Sequence, residues 1–341
     1  MPQALPDSLE PYRNISSRAY EHPADRAATA ALQAVPMLDT VARKLIEWRY
    51  ERALRQFYVG NSVRIGEHQL PELWTAHTGV CRILDMPEIY DVYVTSPVPG
   101  LAQAIGSGKP MIVIDAMLLE RLGVGEQRTV LAHEVGHILS DHVLYITALN
   151  ILLAVGSGLP FFAGIPVRAV KSVLLEWYRA TELSADRAAT IAMRDPRIVC
   201  RTLMVTAGAL PADQLNLDAF MTQSMEYEAW GDPSDRVTRF FNEIGQTHTS
   251  AVRRVGEVMK WVRSGEYDRI VRGEYRTRAQ DADVRDEAGD AYEYYSERFR
   301  TIFREAGENL TSASSQVGGM AEQVSDWLRT RGGGGGGAAG R

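Results

Sequence analysis

The chain has 341 residues, 45% of them hydrophobic, which marks a globular protein with one large domain and appendages or two modest domains. A formal net charge of -6, a pI near 5.7 and the lack of any Lys/Arg cluster exclude a general nucleic-acid surface and an anionic-lipid patch. The two cysteines, Cys81 and Cys200, lack C-x-x-C spacing and read as buried thiols.

Met1 to Asp7 carries neither a basic n-region nor an apolar h-region, so no signal peptide is read and a cytoplasmic location is expected. Residues 1–35 read as an N-terminal arm that ends in the Ala-rich, helix-favouring run Ala27 to Ala34. From Met37 to Phe57, Leu38, Val41, Leu45, Trp48, Tyr50, Leu54 and Phe57 recur at near-helical spacing and predict a long amphipathic helix. A further helix is expected around Pro71 to Leu84, with Leu73, Trp74 and Val80 as core material. Tyr90 to Thr95 alternates like a strand and is stopped by Ser96-Pro97-Val98-Pro99. Met111 to Ile114 is a second strand, and Asp115 is placed to cap a helix from Ala116 to Leu122. Between them, Leu101 to Ile105 reads as a short edge strand. There Ala102, Gln103 and Ala104 could pair with an extended substrate through main-chain hydrogen bonds.

The next helix, read from about Glu126 to Tyr145, carries His133-Glu134-Val135-Gly136-His137. Positions i and i+4 lie about 40° apart around a helix, so both imidazoles address one point that suits a zinc ion. Glu134, about 100° round from His133, can take the proton of a water attacking a carbonyl. Positions 130–132, 135, 136, 138 and 139 are uncharged, as in a helix buried over most of its circumference. A buried His pair would otherwise need other polar partners.

Val143 to Val167 follows, 25 residues without a charged side chain, 17 of them apolar. A single membrane crossing would put His133 and any later ligand on opposite sides, and Gly156-Ser157-Gly158-Leu159-Pro160 interrupts the run. Each arm of about 12 residues makes about 18 Å of helix, short of a hydrocarbon core of about 30 Å. The segment 143–170 therefore reads as an apolar hairpin packed on the domain or a partner, with peripheral membrane contact through 143–167 as the alternative.

Ser172 to Met193 predicts a second long helix on which Glu182 and Asp186, four apart, share a face. With Arg179 and Arg187 nearby, this alone would be a solvated salt-bridge face. Two His ligands change the reading, because a hydrolytic zinc takes three protein ligands and leaves one position for water. Glu182 becomes the third ligand to one Zn2+ per chain, and Asp186 a carboxylate that orients a ligating His. Asp141, on the same helix as His133, would spread three ligands over about 12 Å. His142 points about 140° from His137 and so faces elsewhere. His22, His68 and His77 sit in segments without a ligand-like pattern.

These residues resemble the zinc metallopeptidase family that includes the bacterial membrane-stress protease HtpX and the CAAX prenyl endopeptidases, over roughly residues 90 to 260. Glu126 to Glu134 is similar to the family's lead into the zinc helix, Glu182 to Arg187 looks like its second zinc signature, and His142 stands where many members have a histidine. The family often shows a His followed by two prolines and an Arg six residues after the His; His248 and Arg254 fit, with Thr249 and Ser250 in place of the prolines. Val98 to Ala102 sits where the family has a Pro-Asn-Ala-Phe-Ala-like stretch along the cleft, without the Asn. The resemblance implies a soluble or peripheral zinc endopeptidase of gluzincin type that acts on protein or peptide substrates. On this reading His248 joins Glu134 in the catalytic set as an oxyanion donor or substrate-positioning group, with a structural role as the alternative, and Arg254 either holds a carboxylate near the site or bridges helices.

Beyond residue 265 the chain is strongly charged. Tyr292, Tyr295, Phe299, Ile302, Phe303, Ala306 and Leu310 then form a helical stripe that would dock on the domain or on another chain, which leaves a homo-oligomer open. The expected organisation is an arm (1–35), a metallopeptidase domain (36–265), a charged helical extension (266–332) and a disordered Gly-rich tail (333–341). The expected fold is α+β and predominantly α-helical, zincin-like, with a small sheet beside the motif helix. The expected function is zinc-dependent endopeptidase activity, and its alternative is a catalytically silent zinc-containing binding module or scaffold.

Overall fold

A computed structural model of the chain describes residues 9–33, 50–96, 101–155, 167–229 and 249–283, and the helical positions 42, 43 and 46. The elements are α1 (Pro23–Gln33), α2 (Tyr50–Asn61), β1 (Val63–Arg64), α3 (Pro71–Ile83), β2 (Val92–Thr95), β3 (Ala102–Ile105), β4 (Met111–Asp115), α4 (Ala116–Arg121), α5 (Val124–Leu139), α6 (Val143–Val155), α7 (Val167–Met193), α8 (Pro196–Gly208), α9 (Leu217–Ala229), α10 (Ala251–Arg263) and α11 (Glu266–Val271). The protein is α+β and mostly helical with one small mixed sheet, the zincin-like class expected from its pattern.

The sheet has the order β1-β2-β4-β3; β4 runs parallel to β2 and antiparallel to β3. All five residues of β4 are buried, and its period-two alternation divides them. Ile112 and Ile114 join the main core with Leu131 and Val135 of α5, while Met111 and Val113 face Leu54 and Tyr58 of α2. Asp115 caps α4 by accepting from the Met117 amide at 2.7 Å. Strand β3 pairs with β4 alone among the described strands and lies against α5 and α6.

Helices α5 and α7 form the most extensive helix contact. A Cβ on Gly136 would lie 2.6 Å from the Ala188 Cβ and 3.3 Å from the Ala185 Cα, so the glycine and the small residues of α7 set how closely the two helices cross. Helix α6 buries Tyr145, Ile146, Ala148, Leu149, Ile151 and Leu152 in a second core with α1 and Trp177 of α7. Among the described residues no single helix is long and apolar enough to cross a membrane.

The motif helix is shorter than expected. It stops at Leu139, and Asp141 takes a left-handed conformation (φ 57°) before α6 begins. A helix continued to Tyr145 would have carried the chain on in a straight line; the turn brings His142 back toward His137. Residues 9–33, set apart in the sequence as an arm, place Tyr12, Ile15 and Tyr20 in the main core, and Tyr267 and Ile270 of α11 join the same cluster. The hairpin tip, residues 37–41, 44, 45 and 47–49 of the helix expected from Met37 to Phe57, His248, the stripe from Tyr292 to Leu310 and the Gly-rich tail lie outside the described residues.

Candidate metal centre

Helix α5 presents His133 and His137, and α7 presents Glu182 opposite them. The Nε2 atoms of the two imidazoles are 3.2 Å apart. Glu182 Oε1 lies 3.3 Å from His137 Nε2, and Oε2 lies 3.7 Å from His133 Nε2. Tetrahedral zinc with ligand bonds of about 2.0–2.1 Å separates its ligand atoms by about 3.3 Å, so donor types and spacings both fit such an ion. Both His137 and Glu182 are buried, and His133 is partly open.

Arg254, from α10, ties Glu182 and, through Asp186, His133 into a charged clamp. Its Nη1 donates to Glu182 Oε2 at 2.8 Å, and its Nη2 and Nε donate to Asp186 at 2.6 and 2.7 Å. Asp186 Oδ1 in turn lies 3.1 Å from His133 Nδ1. Although burial works against both charges, Arg254 holds Asp186 ionised and the two carboxylates hold Arg254 protonated. Burial also works against a charged His133, but Asp186 and Glu182 outweigh it and raise the ring to about 10; burial lowers His137 to about 4.

Glu134 is buried, and its carboxylate accepts from the Ala104 amide of β3. Burial raises its pKa to about 7, with His133 opposing and Glu182 adding to the rise. A cavity of about 500 Å³ opens beside these groups. It is lined by the polar groups of His133, Glu134, Glu182, Asp186 and Arg254 and by the apolar side chains of Leu118, Val130, Val199 and Leu203. Leu101 and Ala102 border it from the sheet edge.

The structure therefore brings together His133, Glu134, His137, Glu182, Asp186, Arg254 and the strand that holds Ala102, Gln103 and Ala104. His248 lies outside the described residues, but its neighbour Thr249 lines the cavity and donates to the Arg179 carbonyl at 3.0 Å. Sequence reasoning missed three groups. Tyr178 lines the cavity with its ring 6.1 Å from that of His137; one turn before Glu182 on the predicted helix, it could have been placed from spacing. His142 was assigned to another direction on a helix that ends three residues earlier. Its Nδ1 is 3.1 Å from His137 Nδ1, and its Nε2 is 3.0 Å from Asp25 Oδ2. No sequence pattern marks Asp25.

Comparison with known proteins places this geometry in a family context. Residues 84–262 match the family described as peptidase family M48. The chain is 34% identical over 275 residues to the plastoglobule-localized metallopeptidase 48 of Arabidopsis thaliana chloroplasts, covering 79% of each chain. It is 25% and 23% identical over 224 residues to proteins named protease HtpX homolog 2 from Methanosarcina mazei and Methanosarcina acetivorans, covering 58% of this chain and 74% of each relative. No solved structure matches.

Proposed function

The chain belongs to peptidase family M48 and is a metalloprotease; on that footing we propose that it is a zinc endopeptidase whose ion is held by His133, His137 and Glu182. The ligand-atom spacings of 3.2, 3.3 and 3.7 Å support this reading most directly. When bound, zinc supplies polarisation of the scissile carbonyl and acidifies a water. Glu134 takes the proton of the attacking water and passes it to the leaving amine, for which a carboxylate with a pKa near the working pH is suited. Ala102, Gln103 and Ala104 offer backbone groups to an extended protein or peptide substrate. Asp186 and Arg254 hold His133 and Glu182 in place, and His248 positions substrate or stabilises the developing oxyanion. The reading includes a cytoplasmic or membrane-surface location; the Arabidopsis relative's name assigns that protein to plastoglobules.

Glu134→Gln is expected to retain about one zinc per chain and lose casein cleavage by about 10²- to 10⁴-fold, the contribution of proton transfer. Retained cleavage would remove Glu134 as the base. Metal analysis of Glu182→Ala tests the ligand set, with loss of zinc as the expected result.

A further inference from the structure

A ligating imidazole must carry its hydrogen on the nitrogen that faces away from the metal, and the group behind that nitrogen fixes the ring. For His133 that group is Asp186, at 3.1 Å. For His137 it is another histidine. A His137 that ligates through Nε2 carries its hydrogen on Nδ1, so the 3.1 Å contact between the two Nδ1 atoms makes His142 Nδ1 the acceptor and leaves the His142 hydrogen on Nε2, 3.0 Å from Asp25 Oδ2. His137 Nδ1–H donates to His142 Nδ1, and His142 Nε2–H donates to Asp25. This leaves the lone pair of His137 Nε2 facing Glu182. The reverse direction would put a hydrogen on that Nε2.

Asp25 is well built for this place. It is 2% exposed, with Oδ1 accepting from Thr29 at 3.0 Å and Oδ2 accepting from Ser184 at 2.5 Å. The His22 amide donates to the same Ser184 hydroxyl at 2.8 Å, and the His142 ring meets Trp177 edge-on at 5.7 Å. Its helix, α1, lies outside the stretch 84–262 that matches the family.

We propose that Asp25 is a positioning residue of the metal centre: through His142 it fixes the tautomer and orientation of His137, so that the N-terminal helix forms part of the site. This rests on His133, His137 and Glu182 as ligands. The test uses the full chain, with zinc titrated against a chromophoric chelator and cobalt(II) absorption as the spectroscopic readout. Glu182→Ala should lose the ion; wild-type affinity there would remove the ligand reading itself. With that reading intact, Asp25→Asn should weaken zinc binding about tenfold and shift the cobalt spectrum. In a His142→Gln background the same substitution should add less than twofold, because its effect passes through His142. Leu32→Ala, which loosens α1 without touching the three side chains, should lower thermal stability and leave affinity within twofold. Asp25→Ser replaces Asp25→Asn should the latter not fold. Unchanged affinity in Asp25→Asn, a full tenfold loss in the His142→Gln background, or an equal loss in Leu32→Ala would each overturn the proposal.

Discussion

The two imidazoles of α5 are backed in unlike ways. Behind His133 stands a charged clamp, Asp186 and Arg254, both buried and contributed by α7 and α10. Behind His137 stands a relay through the His142 ring that ends on a carboxylate of α1. A charged clamp is held by Coulomb attraction, and removing either member leaves an uncompensated buried charge. The relay is held by direction: each atom must be donor or acceptor in turn, so it is sensitive to geometry more than to charge. The site thus draws its support from α1 on one side and from α7 and α10 on the other, by two kinds of interaction.

The largest effect should come from breaking the clamp. Arg254→Ala removes the cation that the buried Glu182 and Asp186 carboxylates share. A loss of about 3–5 kcal/mol is expected for the metal-free protein, with a smaller loss once a metal balances Glu182. Denaturant unfolding with and without zinc checks this. Equal losses in the two states would show that Arg254 does not compensate the ligand charge.

Next in size is the crossing that brings the two sides together. Gly136→Ala places a methyl 2.6 Å from the Ala188 Cβ, and both neighbours are helix-borne, so α5 and α7 must separate. A cost of about 2 kcal/mol is expected from overpacking. Because His137 follows directly on α5 while Glu182 stays on α7, zinc affinity should fall along with stability. Destabilisation with unchanged affinity would mean that the helices tilt elsewhere and leave the ligands in register.

These two sides were not equally legible in the sequence. The clamp side could be read because its residues sit at helical spacing from one another: Glu182 and Asp186 on one face of a periodic segment, and Arg254 in a family-like stretch. The sheet was legible for a similar reason, since β-branched alternation and a capping Asp115 are local signals. The relay was not. It depends on Asp141 adopting a left-handed backbone, which Asp tolerates but does not announce, and a straight-helix extrapolation sends His142 the wrong way. Asp25 was hidden more deeply. Its meeting with His142 and Ser184 is a tertiary event between a short Ala-rich helix and residues far along the chain, and short-range periodicity carries no information about such pairing.

The smallest expected effect separates the relay from the helix that carries it. Thr29 donates to Asp25 at 3.0 Å and accepts from the Trp177 indole at 2.9 Å. Thr29→Val keeps the shape and removes both bonds, which should cost about 1 kcal/mol in denaturant unfolding. Asp25 would still be held by Ser184 and still accept from His142, so zinc affinity should stay within twofold of the unmodified chain. The clamp has no counterpart to this behaviour: there, any lost contact strips compensation from a buried charge. If Thr29→Val instead weakened zinc binding as far as Asp25→Asn, the docking of α1 as a whole would be what orients His137. The contrast between a charged clamp and a directional relay would then reduce to one between a tightly and a loosely packed side.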